Sequence, residues 1–326
     1  MIDLEHLNGI RLSPQPLGQK IVGSVLLAPN YNLFQRVEIR MENLERIPKG
    51  ETVIFAMNHT DRYNYWPFQY KLWRLGYPFT TVWAKGKYYR NKAVGKFLDL
   101  CNVIPVPSMG YLVEEFYRRH FNKKITREEY RVVKDWIDGK IDEAVTAVKL
   151  RAETFALFQQ GLIDHLKEYH QTLMEKVAEL STKALLEWDL SLIIFPEGTR
   201  SIRLGTGRVG LAQIALYSAK KIVPVGCNSS DLVYRGHLPF AKSGTITYRI
   251  GEPLSLQDRL AEFRIPEPFR LFSRESQEKF RAQFEGVTRV VMDSINDLLD
   301  ERHRHPAPSG APEGPPKTEP PSRNPQ

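Results

Sequence analysis

Short apolar runs, each closed by a polar turn, recur along the chain. Residues 52–57, 79–84, 192–195 and 222–226 are continuously apolar or β-branched, and 101–106 is so apart from Asn102. They are too short for ordinary helices and are bounded by Asn, Gly, Pro or charged residues, which predicts strands buried on both faces. Residues 37–42 and 244–251 alternate apolar with polar, the pattern of half-buried strands. Helical stretches are predicted after Pro67, where Phe68, Tyr70, Trp73 and Tyr77 follow, and over 211–219 and 273–299. Strands interleaved with helices give an α/β fold, a mixed sheet flanked by helices. Residues 1–42 form a lead-in to it, and 43–51 a loop turning at Pro48 and Gly50.

A long helical insert is predicted over about 111–188. Thr126-Arg127-Glu128-Glu129 reads as a capping box, hydroxyl and carboxylate each satisfying a first-turn amide. Beyond it Phe155, Phe158, Leu162, Leu166, Tyr169, Leu173, Val177, Leu180 and Ala184 recur at steps of three and four, one apolar stripe on a helix. Gly139 and Gly161 mark expected breaks, so two or three helices forming a hairpin are predicted. Such a hairpin packs on the core or forms a lid or lipid platform; both readings stand. His165 and His170 are five residues apart, on different faces, and make poor metal partners.

Two polar turns carry candidate chemistry. The strand at 52–57 runs into Asn58-His59-Thr60-Asp61-Arg62-Tyr63-Asn64, and the strand at 192–195 into Pro196-Glu197-Gly198-Thr199-Arg200-Ser201. A histidine closing a buried strand can reach a reactant held over the sheet's edge. Neutral imidazole is a suitable base near pH 7, and a fixed guanidinium among amides and hydroxyls suits a phosphate. Asp61 reads either as a partner of His59 or as a helix N-cap. Glu197 reads either as a group touching Arg200 or a ligand's hydroxyls, or as a brace for its own turn.

These stretches resemble the first and third blocks of the glycerophospholipid acyltransferase family, of the lysophosphatidate acyltransferase type. Phe195 to Ser201 matches the third block completely, and Lys221-Ile222-Val223-Pro224-Val225 is similar to the fourth. The resemblance implies a glycerolipid acyltransferase-like fold and direct acyl transfer, from acyl-CoA or acyl carrier protein as co-substrate, to the hydroxyl of a lysophospholipid. The default acceptor is 1-acyl-sn-glycerol-3-phosphate. His59 is then the general base, with Glu197, Gly198, Thr199, Arg200, Ser201 and Arg208 around the acceptor. Two departures stand out. The family's Asp five residues after the histidine is Asn64 here, which can accept a hydrogen bond but brings no negative charge. The second block, where members often present an Arg to the acceptor's phosphate, has Val106, Pro107 and Ser108. Two alternatives follow: a weak or inactive lipid-binding relative, or an enzyme for another lipidic alcohol.

Composition adds limits. The 326 residues carry a formal charge of +8, with 42% hydrophobic and 26% charged side chains. That surplus suits an anionic membrane surface, a polyphosphate co-substrate or nucleic acid; the motifs favour the first two, and no nucleic acid is expected. Lys85, Lys87, Arg90, Lys92 and Lys96, interleaved with Tyr88, Tyr89 and Phe97, form a basic segment or simply a solvated face. Gly205-Thr206-Gly207-Arg208-Val209-Gly210 satisfies a dinucleotide pattern, but its preceding strand ends about ten residues too early. No cofactor or metal is expected. Two cysteines, Cys101 and Cys227, read as free thiols in a reducing compartment. No signal peptide is evident, and no run approaches the ~20 apolar residues that span a bilayer. A cytoplasmic protein, peripheral on the inner face of the membrane, is predicted. The domain is expected over 43–302, with 303–326 a disordered, proline-rich tail.

Overall fold

A computed structural model of the chain describes residues 2–305. A seven-stranded sheet lies at its centre: β1 (Val37–Glu42), β2 (Ile54–Met57), β3 (Thr80–Lys85), β4 (Val103–Val106), β5 (Ser191–Ile194), β6 (Ile222–Asn228) and β7 (Gly244–Ile250). These are the seven runs predicted, in the spatial order β1-β7-β6-β2-β5-β3-β4. Every neighbouring pair is parallel except β6 with β7. Residues of β2, β5 and β6 are buried throughout, so their sequences are unbroken apolar runs, whereas β1 and β7 alternate.

The pleat divides the core into two layers. Phe55 and Met57 of β2 join Phe68, Leu112, Leu173 and Tyr248 on one face, while Ile54 and Ala56 join Leu211, Phe284, Val291 and Ile295 on the other. Because Ile54 is in register with Leu192 of β5 and Ile222 of β6, these strands end side by side. The end of β3 lies next in line beyond β5. Four parallel strands therefore deliver their carboxyl ends to one edge of the sheet, where open α/β sheets hold their ligands.

The insert comprises five helices, Met109–Phe121, Arg127–Ile137, Glu143–Lys149, Ala152–Leu157 and Gln160–Leu186, not two or three. Gly139 ends one of them at φ 72°, but Gly161 lies inside the first turn of the last, and the break falls just before it. Leu166, Leu173, Val177, Leu180 and Ala184 are buried against the core, so the stripe serves packing. The capping box is half formed. Thr126 Oγ1 accepts from the Glu129 amide at 3.2 Å, but the Glu129 carboxylate turns to Arg151 at 2.8 Å and Thr154 at 2.7 Å. The guanidinium holds that carboxyl down at about 2. His170 Nε2 lies 3.1 Å from the Pro107 carbonyl, while His165 stacks on Tyr169.

The lead-in is more helical than its sequence suggests. Leu4–Gly9 is a helix, and residues 17–34 form a continuous helical run, π-wound over Val22–Leu27 and Asn30–Phe34. Among the described residues no helix is long and apolar enough to cross a membrane. At the other end, order runs past Arg302. His303 is 1% exposed, which corrects the expected start of the tail; residues 306–326 lie outside the described residues.

The helix Arg281–Asp297 covers the second layer, and Gly226 of β6 lets its exit approach closely. A Cβ at 226 would stand 2.6 Å from the Leu298 carbonyl oxygen, a main-chain atom. Gly226→Ala is therefore expected to cost about 1–3 kcal/mol, measurable as a lowered denaturation midpoint; an unchanged midpoint would show that this contact yields freely.

Candidate active site

β2 ends in Asn58, whose side chain mimics a strand's main chain. Asn58 Oδ1 accepts from the Cys227 amide at 2.7 Å and its Nδ2 donates to the Cys227 carbonyl at 2.9 Å. This extends the β2–β6 pairing by one residue and presents His59 beyond the sheet. The His59 amide donates to Glu197 Oε2 at 2.8 Å, and Glu197 Oε1 accepts from the Gly205 amide at 2.8 Å. In return the Ser201 amide donates to the His59 carbonyl at 2.9 Å. Glu197 thus braces its own turn and joins the two motifs, with both oxygens engaged by main chain. Its burial raises its carboxyl pKa.

The ring of His59 stacks on Phe195 with centroids 4.0 Å apart, and its Nδ1 lies 3.1 Å from Asn64 Oδ1. Asn64 is fully buried, and its Nδ2 donates to the Asn58 carbonyl at 2.8 Å. Turning the amide over would set Oδ1 against that carbonyl, so Oδ1 faces the ring and Nδ1 carries the proton. Nε2 is left with its lone pair free to take a proton. Burial first, then the positive charges of Arg200 and Lys85, lower the imidazole pKa to about 4. At pH 7 the ring is neutral.

Asp61 is not that ring's partner. Its carboxylate accepts from the Thr60 hydroxyl at 3.0 Å and the Tyr63 amide at 2.8 Å, and burial raises its pKa. Nor does it cap the following helix, Tyr65–Arg74, whose N-cap is Asn64. Asp61 shapes the turn behind His59.

Positive charge gathers on the other side. Lys85, ending β3, has its pKa lowered by burial and then by Lys87, Arg200 and Arg208. Arg208 folds over the turn: a Cβ on Gly198, which sits at φ 64°, would touch its Nε at 3.0 Å. Thr199, Arg200, Ser201 and Arg208 are all exposed on this edge. Lys85 had been one member of a basic segment in the sequence. Its register opposite Val106 puts a cation beside the position where the second block lacks one. The glycine series around Arg208 serves packing: a Cβ on Gly207 would stand 2.6 Å from Met292 Cγ. Asn58 and Lys85 were the site residues least visible beforehand; adjacency of strand ends was the only signal for Lys85.

Residues 38–228 match the acyltransferase family. The chain belongs to that family. The expectation drawn from the two motifs is met at the family level, and the mixed sheet flanked by helices is the fold expected. Among solved structures the chain is similar to a 1-acyl-sn-glycerophosphate (LPA) acyltransferase, PlsC, from Thermotoga maritima. The identity is 16%, covering 84% of this chain and 78% of that one, with a TM-score of 0.39. No curated protein matches the chain.

Two outcomes are expected of this acyltransferase. Asn64→Asp would place a carboxylate oxygen where Nδ2 now meets the Asn58 carbonyl, lowering stability by about 1–3 kcal/mol; unchanged denaturation would show that the carbonyl turns away. The imidazole pKa near 4 also has a sign. Between about 6.5 and 4 the unfolded chain takes up a proton that folded His59 refuses, so its contribution lowers stability as pH falls through that window. A His59→Phe variant should lose less stability than wild type between pH 7 and 5 in parallel denaturation series; identical losses would place the pKa near its ordinary value.

Proposed function

We propose that this acyltransferase moves a fatty acyl group from acyl-CoA or acyl carrier protein to the hydroxyl of a lysophospholipid, by default 1-acyl-sn-glycerol-3-phosphate. The observation carrying the reading is a neutral, tautomer-fixed imidazole beside Lys85, Arg200 and Arg208, and among the described residues no carboxylate pairs with any of these three cations. The acceptor's phosphate meets the cations, and its hydroxyl meets His59 Nε2. That nitrogen takes the hydroxyl proton as the oxygen attacks the thioester carbonyl. The tetrahedral intermediate collapses, the C–S bond breaks, and the proton passes from the imidazolium to the departing thiolate.

Asn64 holds the ring but cannot neutralise the imidazolium. The acceptor supplies what is missing: its phosphate cancels the field of Lys85 and Arg200, so His59 becomes a stronger base once the acceptor is bound. The pKa governing kcat should then lie above that governing kcat/KM, since the first reports the complex and the second the free enzyme.

The acyl chain has an apolar crevice to enter, between the helical run 17–34 and the helices Tyr65–Arg74 and Lys92–Leu100. Val22, Leu27, Trp73, Phe79 and Phe97 line it, with Tyr65 and Trp66. Tyr65 is edge-on to Phe195, the ring stacked on His59. The crevice has about 30 Å³ of free space, too little for a fatty chain, so residues 17–34 must move outward to admit one. The outer face of that run exposes Leu17 at 60%, Ile21 at 48% and Val25 at 71%, one residue per turn, then Leu33 and Phe34. Val94, Phe97 and Leu100 are exposed on the neighbouring helix, which also carries Lys92 and Lys96. Apolar side chains interspersed with lysines suit an anionic membrane surface, and the protein is read as peripheral there.

Labelled acyl-CoA and acyl-carrier donors, assayed against lysolipids with and without phosphate, test the reaction. Turnover with lysophosphatidate is expected, falling at least about 100-fold in His59→Ala, while Lys85→Ala raises the acceptor KM about tenfold. Undiminished transfer by His59→Ala would remove the proposed base. Turnover restricted to acceptors lacking phosphate would favour another lipidic alcohol. Silence with all acceptors would favour the lipid-binding relative, a reading that the missing carboxylate at residue 64 supports. In vesicle sedimentation, Val25→Glu is expected to weaken binding to anionic vesicles several-fold; unchanged binding would reject this face as the contact.

A further inference from the structure

The loop carrying Arg200 has no regular structure between Pro196 and Gly210, yet its main chain is tied at both ends. The Ser201 amide reaches the His59 carbonyl, and the Arg208 amide reaches the Pro196 carbonyl at 2.9 Å. Its middle, Ile202 to Leu204, is held from the far end of the chain. His303 Nδ1 lies 2.8 Å from the Ile202 carbonyl. In the reverse direction the Leu204 amide donates to the His303 carbonyl at 2.8 Å.

The other ring nitrogen is engaged as well. His303 Nε2 accepts from the Ser229 amide at 3.2 Å, just beyond β6, where Ser229 adopts φ 65°. The Ile202 carbonyl at Nδ1 and the Ser229 amide at Nε2 hold the ring from two sides, with Asp231 Oδ1 3.5 Å from Nε2. Arg302 pairs with Asp231 at 2.6 Å, and the Asp300 amide donates to Asn228 Oδ1 at 2.8 Å. Three successive contacts thus fasten this segment to the end of β6, and His303 passes the constraint on to the arginine loop.

We propose that His303 is a positioning residue that fixes the Arg200 loop for the acceptor's phosphate, acting from outside the 38–228 span that defines the family match. It touches neither substrate. A residue serving only general stability would weaken all steps alike. A residue fixing this loop selectively affects the substrate that the loop binds.

The proposal rests on the reaction proposed above, so it is tested in two ways. In steady-state kinetics His303→Ala should raise the KM for lysophosphatidate about tenfold, as expected for the loss of roughly one hydrogen bond's worth of fixed geometry, while the donor KM stays unchanged. His303→Asn, whose amide can still donate to the Ile202 carbonyl, should recover most of that loss. Hydrogen–deuterium exchange gives a readout without turnover: amides of 201–205 should exchange faster in His303→Ala, with the β2 and β5 amides unaffected. Equal changes in both KM values, or unaltered exchange in the loop, would overturn the proposal. Should wild-type protein acylate no phosphate-bearing lysolipid, the reaction assigned above fails, and the exchange experiment still decides whether His303 holds the loop.

Discussion

The Glu197 carboxylate is the constraint on which the site's geometry depends. It is buried, one oxygen on the amide of His59 and the other on that of Gly205. Those amides belong to turns after different strands, so a single side chain fixes the distance between the imidazole and the arginine loop. A carboxylate satisfied by main-chain donors in a water-poor site holds geometry more firmly than a surface ion pair, because losing either donor strands a buried charge. Asn58 does the corresponding work on the other side, locking β2 to Cys227 of β6. Between them the histidine's main chain has little freedom, and its ring is left to project beyond the strand end.

Much of this was legible because it follows from parallel-sheet physics. Central strands buried on both faces must be apolar without interruption, and 52–57, 192–195 and 222–226 read that way. Polar residues at their ends then mark one edge of the sheet, which is why the sequence alone groups His59, Glu197 and Arg200 at a common site. The role of Glu197 was harder: a carboxylate beside an arginine in sequence suggests an ion pair, and its actual partners lie 138 and 8 residues away. Lys85 was obscured for a similar reason. Nothing near it in sequence separates it from Lys87 or Lys92; its place at the end of β3 does.

The helical run 17–34 was illegible for a different reason. Sequence patterns report which residues are buried, and this run exposes Val25, Leu33 and Phe34 while burying Asn30. Pro16 and Pro29 also punctuate it, and Gly18 and Gly23 weaken its helical signal. Helical character there comes from tertiary contact: a Cβ on Gly23 would fall 2.7 Å from the Trp73 ring, so the absence of a side chain is what lets the run lie on the helix below. Gly161 misled in the opposite sense, since one glycine in a helix's first turn costs only about 1 kcal/mol, less than the packing of the stripe behind it provides.

The electrostatics of the site favour a division of labour between protein and acceptor. A carboxylate at residue 64 would stabilise the imidazolium by its charge; the amide fixes the tautomer, and its hydrogen bond raises the imidazole pKa by less than burial lowers it. With Lys85 and Arg200 adding positive potential, the free site holds a poor base. An acceptor bearing a phosphate reverses that potential, whereas water or a neutral alcohol leaves it in place. In the proposed reaction the cations that would bind the acceptor also suppress proton removal until it has bound, which disfavours thioester hydrolysis by a stray water. On this argument Asn64 costs intrinsic basicity and contributes selectivity, because the charge that completes the base arrives with the phosphate-bearing substrate.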